Sequence, residues 1–273
     1  MRSNQGTPAT PSITRASPLT PQQGPSILKN SLTTDARRLA DWMVATSKRE
    51  IVPLGKDFIR RDDGQPPPLA KLMRGGRGGE VRLKLFLSMN LLATRDPFDV
   101  RPLPAKVWAE MLNLSSPEPN GARRVNEAIA WLHRHKLISI DDRRPGRPPR
   151  VFLRSHTGNG KPYSRPRKNW VNLPTTFWKN GWIVRLSGRA IALLLILLDL
   201  VGGRDREQGA YVRPDKARLQ YGLSEDTWTR GVKELKEAGL ITVTREKHGE
   251  IWDFVRLRNM YKVDVSRFDT QAM

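Results

Sequence analysis

The chain holds four histidines and no cysteine, so any metal-ligating chemistry must start from His133-Arg134-His135. Two histidines separated by one residue share an ion when a strand puts both imidazoles on one side, and with a tyrosine nearby such a site cleaves nucleic acid. Here the apolar spacing puts the triplet at the end of a helix. Residues i and i+2 then point about 200° apart and cannot chelate one ion. His156 and His248 are the remaining histidines, thiolate ligands are absent, and no catalytic metal centre is expected. Asp62-Asp63, Asp141-Asp142 and the run from Asp205 to Glu207 have loop or turn contexts without a partner set for nuclease chemistry. Tyr163, Tyr211, Tyr221 and Tyr261 each offer a phenol, but no histidine and arginine constellation accompanies any of them. The expectation is a protein that is not an enzyme and uses no cofactor or metal.

Cations carry the chemistry instead. Lys and Arg total 48 against 27 acids, the formal charge is +21 and the pI is near 11.0, the signature of a polyanion-binding protein. Two helical segments present polar faces with the right side chains for reading bases. In the first, Val125, Ala128, Ile129 and Leu132 make an apolar stripe, leaving Arg123, Asn126, Glu127 and Ala130 outward. In the second, Trp228, Gly231, Val232 and Leu235 make the stripe, leaving Asp226, Thr229, Arg230 and Lys233 outward. Arginine and asparagine can bond base edges bidentately in a major groove, so Arg123, Arg124, Asn126, Glu127, Thr227, Thr229, Arg230 and Lys233 are the candidate readers. Ser224 precedes the second segment as an N-cap, its hydroxyl free to accept an orphan amide hydrogen bond, and it is included with that set.

These helices sit in a repeated plan. Leu132 to Ile140 and Leu235 to Val243 both read as a helix end running into a short apolar strand. Upstream, Val81 to Ala93 and Arg189 to Val201 read as a first helix, and Pro104 to Leu112 and Pro214 to Tyr221 as a second, each opened by a proline suited to a first turn. The order helix, helix, helix, hairpin occurs twice, which is how a winged-helix DNA-binding module is built. The first copy departs from the plain motif at Ser115 to Gly121, where extra loop precedes the third helix. The expected class is mainly α with short β-hairpins (α+β), with two winged-helix modules in series.

Between the two expected strands of the first copy lies Arg143-Arg144-Pro145-Gly146-Arg147-Pro148-Pro149-Arg150. Its Gly-Arg-Pro core flanked by arginines resembles an AT-hook, an extended segment that lies in the minor groove of A/T-rich DNA. Narrow A-tract grooves attract cations, glycine permits close approach, and prolines keep the segment extended. Arg147 would be the inserted side chain, with Arg143, Arg144, Gly146 and Arg150 around it; the alternative is a solvated basic turn. Nine Lys/Arg and no acid lie between Arg143 and Lys168. Lys161, Arg165, Arg167 and Lys168 are expected to follow the phosphate backbone, as is Lys247 in the second hairpin. Neutralising a run merely kept in solvent would cost no binding. Phe177, Trp178 and Trp182 could stack bases, but their near-helical spacing favours packing against the second module.

The remaining segments set the boundaries. Residues 1–32 are expected to be a disordered arm, being rich in Thr, Pro, Ser and Gln. Residues 33–79 are expected to hold a short amphipathic helix on Leu39, Trp42 and Met43 followed by a Pro/Gly linker. Gly75-Gly76-Arg77-Gly78-Gly79 could cradle phosphates through its amides, but it lacks the spacing of a phosphate-binding loop. The first module is expected over 80–155, a basic aromatic connector over 156–184, the second module over 185–265 and a tail over 266–273. The apolar run Ala190 to Leu198, stopped by Asp199, is about half of the ~20 residues that a membrane-spanning helix needs. No apolar secretory segment opens the chain, and a cytoplasmic protein without membrane contact is expected.

Two winged-helix modules in series resemble theta-type plasmid replication initiators. That resemblance implies a protein of a plasmid or other mobile element that binds origin repeats and opens an A/T-rich flank without being a nuclease. Its partners would be double-stranded DNA and replication proteins. A repressor-type transcriptional regulator with tandem modules shares the same motifs, and a basic architectural or RNA-binding protein shares the charge. An inverted repeat over a promoter would favour the regulator, and direct repeats beside an A/T-rich tract the initiator. Monomer and homodimer are both compatible with two modules in one chain.

Overall fold

A computed structural model of the chain describes residues 32–74, 78–141, 147–202, 209–211, 213, 217–248 and 256–272. The expected arm lies outside these residues except for Leu32. The fold is mixed α+β, with small antiparallel sheets among helices.

Helix α1 (Thr34–Ser47) begins where the Thr33 hydroxyl accepts from the Ala36 amide, and it turns Ala36, Ala40 and Met43 inward. Strand β1 (Ile51–Gly55) and the short helices α2 (Lys56–Ile59) and α3 (Pro68–Met73) follow. The linker expectation is corrected here, because Leu54, Phe58, Ile59, Leu69 and Leu72 are fully buried. Pro68 opens α3 at a first-turn position, where a missing N–H leaves no bond unmade. Of the glycine run, residues 75–77 lie outside the described residues.

The first module is then laid out as α4 (Gly79–Leu92), β2 (Asp99–Val100), α5 (Ala105–Met111), α6 (Ala122–Arg134), β3 (Ile138–Ile140) and β4 (Val151–Leu153). Strand β4 pairs antiparallel with both β3 and β2, giving the order β2-β4-β3. The strand between the first two helices thus adds to the second strand of the hairpin. After β5 (Trp170–Pro174), α7 (Thr176–Lys179) and α8 (Trp182–Arg185), the plan recurs as α9 (Gly188–Val201), α10 (Glu225–Glu237), β6 (Ile241–His248) and β7 (Arg256–Val263). Ala210 bridges Tyr261 of β7, occupying the place that β2 takes against β4. A wide turn, Ala217–Tyr221, stands where the second helix was expected.

Helices α4 and α9 are buried on nearly every side, as helices apolar all round must be. They approach closely near their amino ends. A Cβ on Gly188 would stand 2.8 Å from the Cα of Glu80, so glycine is required by the contact. The segments expected to connect modules complete this core. β1 pairs antiparallel with β5 from Ile51↔Pro174 to Gly55↔Trp170. Phe177, Trp178 and Trp182 are buried, which removes them from base stacking. Their packing is broader than expected: the Trp178 indole donates to Ser88 of α4 at 3.1 Å, and Phe177 and Trp182 meet Phe268 edge-on. The tail is likewise structural. Asn180, Trp182 and Arg185 donate to the carbonyls of Phe268, Thr270 and Ala272.

Two polar groups inside the core join elements distant in sequence. The Asp199 carboxylate on α9 is buried against Lys56 at 3.1 Å and Arg60 at 3.4 Å, and it accepts from the Tyr221 hydroxyl at 3.0 Å. Burial and the Asp199 charge hold the Tyr221 phenol well above its ordinary range. His156, just past the first hairpin, accepts from the Gly55 amide and faces Asn90 of α4. Among the described residues no helix is long and apolar enough to cross a membrane.

Candidate nucleic-acid interface

The third helices of the two modules, α6 and α10, are each 13 residues long and strongly amphipathic. Val125, Ala128, Ile129 and Leu132 of α6 are buried, and Arg123, Asn126 and Glu127 stand in solvent. In α10 Gly231 and Leu235 are buried, Trp228 and Val232 half-buried, and Asp226, Thr229, Arg230 and Lys233 exposed. Arg124 is half-buried on the flank of α6. Each outward face carries its own ion pairs one turn apart: Arg123 with Glu127 at 3.6 Å, Arg230 with Asp226 at 2.7 Å and Lys233 with Glu237 at 4.0 Å. Exposed pairs of this kind contribute about 0.3–0.5 kcal/mol, so a ligand can open them at little cost.

Different devices set the two helices. Ser224 caps α10 by accepting from the Thr227 amide, and its hydroxyl lies 2.9 Å from the Thr227 hydroxyl. Both residues therefore serve the helix start. The buried Glu234 carboxylate accepts from the Ser187 amide and hydroxyl, neutralising the amino end of α9 with a charge. A Cβ on Gly231 would lie 3.2 Å from that of Leu193 and 3.3 Å from the Arg189 carbonyl oxygen, so glycine lets α10 sit close to α9. Helix α6 has no side-chain cap. It continues from the turn Pro117–Gly121, the extra loop read in the sequence, which Lys106–Glu118 at 2.7 Å ties to α5. A Cβ on Gly121 would stand 2.9 Å from that of Ala109, so this loop is packed against α5.

Arg143, Arg144 and Gly146 lie outside the described residues. Arg147, the first described residue after them, is exposed. Arg150 is engaged, its Nε donating to Asp99 of β2 at 2.8 Å while its guanidinium lies over the Phe152 ring. That hydrogen bond and the Asp99 charge raise its pKa further. Arg165 donates to the Thr94 carbonyl just past α4, and Arg49 donates to the carbonyls of Asn90 and Ala93 beside it. Arg150 and Arg165 therefore have structural work to do. Lys161, Arg167, Lys168 and Lys247 are exposed.

The sequence reading missed a second basic cluster, where α6 ends. His135 stacks on Trp131 with ring centroids 3.6 Å apart, and its Nδ1 lies 2.9 Å from the Trp131 carbonyl oxygen. Arg82 of α4 lies over the Trp131 ring at 4.8 Å. Burial first, and then the neighbouring Arg134 charge, pull the Arg82 guanidinium below its ordinary value. Arg134 follows Arg123 by three helical turns, a spacing that could have revealed it as part of the same face. Nothing local points to Lys71 of α3, which closes the cluster.

Comparison with protein-family models and with curated proteins gives no match to this chain.

Proposed function

We propose that this protein binds double-stranded DNA sequence-specifically, with α6 and α10 reading two different half-sites. The observation that supports this best is the recurrence of one topology, helix, strand or bridge, helix or turn, helix and hairpin, with third helices of equal length whose polar faces stand in solvent. The high positive charge supplies the sequence-independent attraction that such binding needs. Resemblance to theta-type plasmid initiators extends the reading to origin repeats beside an A/T-rich tract, with Arg147 in the narrow minor groove of the flank.

The reading is tested by selecting duplexes from a random pool and footprinting the winner. Two unlike half-sites about 34 Å apart, or a multiple of it, are expected. Arg123→Ala and Arg230→Ala should each relax base preference in one half-site and cost about 1–3 kcal/mol. Selection that returns no sequence above the random pool would refute it.

A further inference from the structure

We infer that the cleft at the carboxyl end of α6 holds a backbone phosphate of duplex DNA, an inference that rests on the duplex-binding reading above. The cleft, about 250 Å³, opens between α3, the end of α6 and the turn that follows His156. Lys71, Arg134 and Lys136 line it beside the imidazole of His135 and the hydroxyl of Thr157, and no carboxylate is among the described residues lining it. Two separate chain segments, α3 and the end of α6, thus bring cations to one concavity, and a third supplies the Thr157 hydroxyl. Its walls are set in advance: the parallel stack on Trp131 fixes His135, and the stem of Lys136 lies against Gly160, whose Cβ would be 3.2 Å from its Cδ. Gly160 has φ +82°, so glycine both permits the turn and leaves room for the lysine.

Position makes the occupant a strand of DNA backbone. A 13-residue helix is about 20 Å long, whereas a major groove is about 12 Å wide, so the ends of a helix seated there reach the phosphate walls. Arg134 lies on the Arg123 side of α6, about 16 Å along the axis, at the end that enters the cleft. Cations in a last helical turn also complement the helix dipole. That accounts for Arg134 but not for Lys71, which belongs to another helix. The matching end of α10, Glu237-Ala238-Gly239, carries no such cluster.

The test uses the full chain and a selected duplex, with a scrambled duplex of equal length beside it, from about 50 to 200 mM salt. Lys71 and Lys136 are exposed, so the double variant Lys71→Gln/Lys136→Gln should keep its fold, and the exposed Lys179→Gln on α7 controls for loss of charge alone. The double variant should weaken both duplexes alike and lower the log–log salt slope by about one to two units, whereas Lys179→Gln should leave the slope unchanged. Over that fourfold salt range, each lost contact makes the fall in affinity about 3.5-fold shallower. An unchanged slope with sequence preference intact would overturn this inference alone. Wild-type protein that binds neither duplex would overturn the duplex reading and this inference together. Saturable binding of inorganic phosphate that the double variant loses, with duplex affinity unaltered, would assign the cleft to a free anion and refute it.

Discussion

Acid should weaken the core at His156. The ring is buried among Phe58, Phe86 and Tyr163. The Gly55 amide donates to Nδ1 at 2.9 Å, so the single ring proton belongs on Nε2, which donates to the Asn90 side-chain oxygen at 2.7 Å. A second proton would have to go on Nδ1, against the Gly55 N–H and in an apolar pocket. Burial accordingly pulls the imidazole from 6.5 down to about 4. The unfolded chain binds this proton more readily than the folded one, so the contribution is whole above about pH 6.5 and falls away as pH drops toward 4. One proton corresponds to about 1.4 kcal/mol per pH unit, which amounts to about 2 kcal/mol between pH 7 and pH 4.5. Urea unfolding of wild type and His156→Asn at those two pH values isolates the effect, because carboxylate titration is common to both proteins. The variant should be less stable at neutral pH, through the unpaired Gly55 amide, yet lose about 2 kcal/mol less on acidification. If both proteins lose the same amount, the buried neutral histidine is not what makes the fold acid-sensitive.

Glu234→Gln keeps the volume but removes the charge that faces the amino end of α9, and it should cost about 1–3 kcal/mol in urea unfolding. An unchanged midpoint would mean that the carboxylate adds nothing beyond shape. Phe268→Ala empties the place where the tail meets Phe177 and Trp182, and it should cost about 3–5 kcal/mol, lowering the thermal midpoint by several degrees. A near-neutral result would show that the tail lies on the core without stabilising it.

What could be read in advance was what has a local period. The stripes of α6 and α10 repeat every three or four residues, so their burial and their outward faces were legible, as were α1 and the start of α10 at Ser224. Pairing of β1 with β5 was not legible, because Pro53, Gly55 and Pro174 look like turn residues and their partners lie more than a hundred positions away. Asp199 was read as the stop of an apolar run. Its cations come from α2 and the residue that ends it, and its phenol from the turn before α10, so no local pattern contains the set. Glu234 sits on the inward side of α10 where pattern alone expects an apolar residue, and its role exists only because Ser187 is there to donate. The candidate interface divides in the same way: Arg134 shares a helical spacing with Arg123, whereas Lys71 reaches the cluster through tertiary packing.

The two repeats share a plan but not an outward face, and the differences fall at equivalent places. Near the start of α6 the exposed pair runs Arg123 to Glu127, and near the start of α10 it runs Asp226 to Arg230, with the charges exchanged. Three turns on, one helix ends in Arg134-His135-Lys136 and the other in Glu237-Ala238-Gly239. Even the inward position beyond the middle differs, Trp131 packing with Arg82 and His135 where Glu234 instead holds Ser187. A palindrome is read by identical faces related by a two-fold axis. On the duplex-binding reading proposed above, one chain with unlike faces joined through β1, β5 and the Asp199 cluster instead suits a site with direction, whose two halves differ in sequence and in how strongly salt weakens them. The half under α6, with the basic cleft at its end, should be the more salt-sensitive of the two.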